Sequence, residues 1–224
     1  MPHQYLSLSH CPQPQIIDAY EQFFRLLPKE KIFDFGMNNI IMIDKEHVSK
    51  QWKILLNKIN NSDDLYIRDF GRNGKSNKYM EKLYKEVFNI KIKFDTDGNS
   101  KPKQLLQKFT GYKVNKTIFN YQISHVFGRT KNVYCFTAPW NVVFIPKVID
   151  PFTGHESRGK YVEEFQRRFK ERIFETFNRE ISEYNKIVKE LYIKIYGWVN
   201  KNIPEKKNYL KYLKEFKEIE KPNF

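Results

Sequence analysis

Cysteine is scarce in this chain, and the two that occur stand apart from each other. Cys11 and Cys135 are the only cysteines among 224 residues, and neither belongs to a Cys-x-x-Cys pair. A zinc site built from four cysteines is therefore excluded. Two separate thiols are typical of proteins in a reducing compartment, and we expect the protein to be cytoplasmic.

Long apolar runs are also missing. No run approaches the roughly 18 apolar residues that a membrane-spanning helix needs, so we expect no membrane partner. The first residues, Met-Pro-His-Gln, lack the basic-then-apolar pattern of a signal peptide, which favours the same cytoplasmic location. A glycine-rich phosphate-binding loop of the P-loop form is absent as well.

Acidic residues are absent from one long stretch of a basic chain. The formal net charge is +14, and between Asp97 and Asp150 there is no acidic residue at all. The basic residues of that stretch are Lys101, Lys103, Lys108, Lys113, Lys116, Arg129, Lys131 and Lys147. An ordinary solvated face mixes both signs of charge, so the stretch predicts a surface that faces phosphate. The alternative is a lysine-rich composition of the kind that an AT-rich genome produces.

The apolar residues that are present suffice for a buried core. They make up 40% of the chain, with 16% aromatic residues, which excludes a chain that is disordered by composition. Apolar residues at helical spacing predict several helices, including one that Asp44 caps and a long amphipathic helix, or two joined ones, from Thr153 onward. Residues 31–43 are mixed and could form strands around a turn at Gly36. Further extended segments are predicted at residues 65–70, 90–94, 114–127, 132–136 and 141–145.

Three short segments follow one another within and just after the carboxylate-free stretch. The first is Ile-Ser-His, ending at His125, and the second is Pro-Trp-Asn-Val-Val, around Asn141. The third is Gly-His-Glu, around His155, and Thr153 with Glu156 has the spacing of a capping box that starts a helix. The predicted order is strand, loop, strand and helix.

This arrangement resembles the HNH family, the ββα-metal (His-Me finger) nucleases, over about residues 114–172. The resemblance implies that His125 is the general base for hydrolysis of a phosphodiester, because a neutral imidazole is available near pH 7. It implies that Asn141 ties the loop between the strands and that His155 binds Mg²⁺ or Mn²⁺, which stabilises charge in the transition state. Where many relatives carry an acidic metal ligand, this chain has Ser124. Either the metal has fewer protein ligands, or Asp150 supplies the missing oxygen.

The fold that these patterns imply is α+β, with a central ββα-metal module surrounded by helices and a long C-terminal amphipathic helix. We divide the chain into a mainly helical recognition or scaffold region at 1–110, the HNH module at 111–175 and a C-terminal helical region at 176–224. The residues added before the module are typical of a Type II restriction enzyme. Such an enzyme would cut double-stranded DNA at a specific sequence as a homodimer.

Several basic residues flank the motif, and one turn lies far from it. We expect phosphate contacts from Arg129, Lys131, Lys147, Arg158 and Lys160. The turn that carries Arg72, Asn73 and Lys75 is a candidate for contact with bases. Two alternatives stay open: a basic nucleic-acid-binding protein without catalysis, and an HNH nicking endonuclease of a phage or mobile element.

Overall fold

Helices and short strands alternate along the part of the chain that the structure describes. A computed structural model describes residues 19–71, 74–154, 156–204 and 206–222, with the backbone alone at residues 21, 22 and 206–208. Its helices are α1 (Ala19–Leu26), α2 (Lys29–Asn38), α3 (Lys45–Asn60), α4 (Gly74–Val87), α5 (Ser100–Thr110), α6 (Val133–Phe136), α7 (Lys160–Thr176), α8 (Asn178–Asn202) and α9 (Lys206–Leu213). Its strands are β1 (Leu65–Arg68), β2 (Ile92–Asp95), β3 (Tyr121–His125) and β4 (Val142–Pro146). The expected α+β class is confirmed in this coarse form.

Local sequence explains where α3 begins and which side it buries. The Asp44 carboxylate accepts a hydrogen bond from the backbone N–H of His47 at 2.9 Å, which is the predicted cap. The buried residues of α3 recur every three or four positions: Val48, Trp52, Leu55 and Ile59. That spacing turns one stripe of the helix toward the core.

The strands expected around Gly36 are helical instead. Residues 29–38 form α2, which buries Phe33 and Gly36. A Cβ atom at Gly36 would lie 2.9 Å from the ring of Phe165 and 3.0 Å from the side chain of Ile149. Here glycine marks a close approach between elements rather than a turn, and that approach depends on residues far away in the chain.

The prediction of an extended segment at residues 132–136 was also wrong. Residues 133–136 form the short helix α6, because the side chain of Asn132 accepts a hydrogen bond from the Tyr134 N–H at 2.9 Å. This is an N-cap, and it commits the next residues to a helical turn despite their β-favouring composition.

Four strands form two separate pairs within the described residues. β1 and β2 are parallel and are connected through α4, with Leu65 opposite Ile92. β3 and β4 form an antiparallel hairpin in which Tyr121 faces Pro146 and His125 faces Val142. The hairpin therefore ends at His125 on one strand and begins just after Asn141 on the other.

Aromatic contacts place the hairpin between two helices. The ring of Trp140 lies 5.7 Å from that of Trp52 in α3 and 5.6 Å from that of Tyr184 in α8. Buried residues of all three predicted regions belong to the same hydrophobic cluster. The proposed region boundaries stay a prediction. No helix in the described ranges combines the length and apolar character needed to cross a membrane.

Candidate active site

His125 is the last residue of β3 and is almost fully buried. Its side chain stacks on Phe136, with the ring centroids 5.5 Å apart and the planes 9° apart. The Nε2 atom lies 3.0 Å from the carbonyl oxygen of Phe136. Because a carbonyl only accepts hydrogen bonds, this contact places the proton of a neutral imidazole on Nε2. In that tautomer the lone pair is on Nδ1.

Asn141 ties together the loop that connects β3 to β4. Its side-chain oxygen accepts a hydrogen bond from the N–H of Phe127 at 2.9 Å. Its amide nitrogen donates to the carbonyls of Gly128 and Cys135, each at 3.0 Å. The residue is fully buried, so every one of these bonds replaces a contact with water. The arrangement holds the backbone on both sides of the loop next to the histidine segment.

The helix after the hairpin begins later than the capping pattern predicted. α7 starts at Lys160 with Gly159 as its N-cap, so the capping box of Thr153 and Glu156 is wrong. The Thr153 hydroxyl instead donates to the carbonyl of Asp150 at 2.7 Å, within a single 3-10 turn over residues 150–153. Gly154 ends that turn in a left-handed conformation. The predicted cap therefore fails because the chain forms this separate turn and begins its helix only at Lys160.

Three of the predicted site residues lie outside the described residues. These are His155, the expected metal ligand, and Arg72 and Asn73 of the distant turn. The structure therefore leaves their assignments as predictions. Lys75, which followed them, is exposed on the first turn of α4 with its ammonium 6.0 Å from the ring centre of Tyr79.

A divalent cation finds few protein ligands among the described residues. Within these ranges no group of three or more His, Cys, Asp or Glu side chains is placed to hold a metal. Asp150 is half-buried at the start of the 3-10 turn. Ser124 is buried with its hydroxyl unpartnered among the described residues, and a hydroxyl is a weak ligand for a hard cation. The described donor set does not fit a complete Mg²⁺ site.

The expected phosphate-binding residues fall into two groups. Lys147, Arg158 and Lys160 are exposed, next to the hairpin or at the start of α7. Arg129 and Lys131 instead point into the molecule. Arg129 donates to the carbonyls of Lys214 at 2.6 Å and Glu218 at 2.8 Å. These carbonyls belong to the segment 214–222, hereafter the C-terminal strap, so the guanidinium serves to hold the fold.

Lys131 is half-buried beneath the same segment. Its ammonium donates to the carbonyl of Asp69 and lies 4.8 Å from the centre of the Phe70 ring. Burial, together with the nearby charge of Arg68, lowers the pKa of Lys131 to about 8. Its backbone N–H donates to the carboxylate of Glu215, whose own pKa is raised by burial. Lys131 is thus part of the packing between the hairpin loop and the C-terminal strap.

Asn132 is a structural residue that the sequence analysis did not single out. It is fully buried, caps α6, and donates to the Tyr184 hydroxyl at 3.1 Å and the Glu215 carbonyl at 2.8 Å. An asparagine directly before a short apolar run is a recognisable cap signal. Its contacts with α8 and the strap carry no such signal, because they join residues more than fifty positions apart.

Comparison with known proteins places the chain in a family. The model of the family described as "Uncharacterised protein PM1201" matches residues 43–224, which include α3 and everything after it. The protein of that description from Pasteurella multocida (strain Pm70) is 42% identical over 176 residues, covering 77% of this chain and 80% of that protein. No solved structure was found to match. The chain therefore belongs to the family described as "Uncharacterised protein PM1201".

Proposed function

We propose that the protein is an HNH-type endonuclease that hydrolyses DNA phosphodiester bonds, with His125 as the general base. The observation that carries the proposal is the layout of the hairpin. β3 ends at His125, Asn141 ties the intervening loop immediately before β4, and the long helix α7 follows. This is the strand, loop, strand and helix order that the resemblance implies, with both residues at the expected ends.

The ring orientation suits the chemistry. The carbonyl of Phe136 holds the Nε2–H of His125, and Nδ1 takes a proton from the attacking water. The resulting hydroxide attacks phosphorus and forms the new P–O bond. The bond from phosphorus to the leaving oxygen breaks, and that oxygen keeps the electron pair and takes a proton from solvent water. Stacking on Phe136 fixes the ring plane, so the imidazole loses little further freedom when a substrate binds.

The proposal includes a divalent ion, Mg²⁺ or Mn²⁺, which would neutralise charge on the phosphate and leaving oxygen. Asp150 is the described carboxylate closest along the chain to the hairpin, and His155 is the predicted second ligand. The described residues on their own fall short of a complete site for this ion.

Charge supports DNA as the substrate. The hairpin lies wholly within the stretch from Gly98 to Ile149, which has no carboxylate side chain. Lys147 is exposed directly after β4, and Arg158 and Lys160 are exposed before α7. Exposed cations around the hairpin are side chains of the kind that contact a phosphate backbone. The proposal extends to a site-specific enzyme that acts as a homodimer on a palindrome.

The test is cleavage of supercoiled plasmid by purified protein with Mg²⁺, with Mn²⁺ and with EDTA. We expect conversion to cut forms with a divalent ion, no conversion in EDTA, and loss of cutting in His125→Ala. His47→Ala is the matched control, since His47 is an exposed histidine at the start of α3. Discrete fragments would indicate a Type II enzyme, and nicked circles a nicking endonuclease. Cutting that persists in a folded His125→Ala protein would refute the assignment of the base.

A DNA-binding protein without catalysis is the second candidate, and the burial of His125 favours it. Only 3% of the residue is exposed, and its contact with Phe136 is also what a purely structural histidine would make. Under this candidate the wild type binds duplex DNA but leaves it intact with every divalent ion. Binding by the wild type and by a folded His125→Ala protein would then be equal.

A further inference from the structure

The helix α5 lies beside the hairpin and presents an unusual exposed face. It is anchored by Leu106, which is fully buried, and by Pro102, and it packs against β4. Its sequence, Ser-Lys-Pro-Lys-Gln-Leu-Leu-Gln-Lys-Phe-Thr, contains three lysines, two glutamines and no carboxylate. The outward residues are therefore cations and amides, which together suit phosphates and base edges.

Two clefts border this face, and Gln104 lines both of them. One cleft runs between α5 and α3 and also contains Lys58, Tyr66 and Thr137. Thr137 directly follows Phe136, whose carbonyl contacts His125. The other cleft contains Ile123 of β3, two residues before His125. Alternate residues of a strand share a face, so α5 lies along the side of β3 from which His125 projects.

Lys101 of α5 packs over the ring of Tyr66, with its ammonium 4.1 Å from the ring centre, whereas the other lysines and the glutamines of the helix face outward. Lys103, Gln104 and Lys108 are exposed, and Gln107 is half-buried. No described carboxylate pairs with either lysine, and neither glutamine side chain has a hydrogen-bond partner among the described residues. Asp64 and Asp97 border the clefts, and Asp64 is already paired with Lys93 at 2.8 Å.

We infer that α5 enters the major groove of duplex DNA and recognises sequence next to the bond that is cut. Lys103 and Lys108 contact phosphates, while Gln104 and Gln107, one helical turn apart, contact base edges. Glutamine pairs through two hydrogen bonds with the N6 and N7 atoms of adenine, so the recognition site contains at least one A·T pair under α5. The inference rests on the proposed function, because it takes duplex DNA as the partner.

Binding in EDTA tests the inference without requiring cleavage. The affinity of the protein for a labelled mixed-sequence DNA duplex is measured by fluorescence anisotropy between about 50 and 200 mM salt. For Lys103→Ala/Lys108→Ala we expect weaker binding and a slope of log affinity against log salt that is smaller by about 1.8. The matched control is Lys189→Ala/Lys194→Ala, two exposed lysines with the same spacing on α8. Equal slopes for the two double variants would overturn the inference.

Sequence preference tests the glutamines. Duplexes retained by the wild type from a random pool are sequenced, and the selection is repeated with Gln104→Ala and Gln107→Ala. We expect an enriched A·T position that is lost in one variant, with binding to the selected site weakened roughly 5- to 150-fold. Unchanged preferences in both folded variants, or equal binding of an RNA duplex whose narrow groove excludes a helix, would refute the assignment. If the protein cuts DNA but the glutamine variants keep the wild-type sequence preference, the nuclease proposal stands and the assignment of α5 fails. If the variants change the preference but no cleavage is seen, the assignment of α5 stands and the nuclease proposal fails.

Discussion

The side-chain oxygen of Asn141 accepts a hydrogen bond from the backbone N–H of Phe127 at 2.9 Å, across 14 positions of sequence. The same amide group donates to Gly128 and Cys135, so one side chain holds the loop from three directions. The loop and the end of β3 therefore move together, and the position of His125 depends on Asn141.

Asn141→Asp should destabilise the fold. The carboxylate keeps the acceptor for Phe127 but turns the donor for Gly128 and Cys135 into an oxygen that faces two carbonyls. We expect a loss of about 2–4 kcal/mol in the free energy of unfolding, measured by urea denaturation. Asn39→Asp is the control: Asn39 donates one exposed hydrogen bond to Phe35, and about 1 kcal/mol or less is expected. Similar losses for the two variants would contradict the role of Asn141.

Replacing Arg129 by alanine should mainly lower stability, whereas replacing Lys147 by alanine should mainly weaken DNA binding. Arg129→Ala removes two hydrogen bonds to strap carbonyls, so we expect a loss of about 2–4 kcal/mol in the free energy of unfolding. Lys147→Ala removes an exposed cation, so stability should change by less than about 0.5 kcal/mol. In DNA binding, the salt slope should fall by about 0.9 in Lys147→Ala. If Arg129→Ala left stability unchanged, the strap contacts would not have the role given to them.

The lowered pKa of Lys131 predicts that the stability of the protein depends on pH. Its pKa is about 8 in the folded protein and 10.5 in its ordinary environment. Between these values the unfolded chain binds a proton that the folded protein has released, so stability rises with pH. From pH 7.5 to 9.5 the wild type should gain about 1–2 kcal/mol relative to Lys131→Met, which does not titrate there. The measurement is urea unfolding of both proteins at each pH. A constant difference between them would show that this lysine keeps its usual pKa.

Gly154→Ala should disturb the turn that precedes α7. Gly154 has a φ of +82°, and an added Cβ would overlap with the Gln166 amide nitrogen, which donates to the Thr153 carbonyl. Gly111→Ala is the control, since Gly111 has a φ of +74° and nothing within 4 Å of an added Cβ. Backbone strain of roughly 1 kcal/mol is common to both variants, so the excess loss in Gly154→Ala measures the clash. We expect this excess loss in the free energy of unfolding to fall by at least half in Gly154→Ala/Gln166→Ala. An unchanged excess loss would rule out the contact with Gln166.

Much of the fold follows from local sequence. The cap at Asp44 was predicted from residue type, and the extended segments predicted at residues 65–70 and 114–127 contain the strands Leu65–Arg68 and Tyr121–His125. The long amphipathic segment is two helices, which is one of the two forms expected. These elements share a property: the residues that determine them are neighbours in the chain.

The predictions that failed have a common cause, which is contact with residues far away in the chain. Gly36 was expected to mark a turn, but its lack of a side chain makes room for Phe165. Arg129 and Lys131 were expected to face phosphate because of their charge, yet backbone carbonyls from Asp69 and the strap bind them. Spacing within the chain predicts which residues are basic, whereas contacts between distant segments decide which of them remain exposed.

The C-terminal strap also affects the order in which contacts can form during synthesis and folding. Arg129 and Glu218, which join the hairpin loop to the strap, are separated by 89 positions. During synthesis the hairpin loop leaves the ribosome well before the C-terminal strap has been made. Bringing two segments so far apart in sequence together has an entropic cost, which slows folding. The hydrogen bond between Arg129 and Glu218 is thus among the last contacts that the growing chain can make.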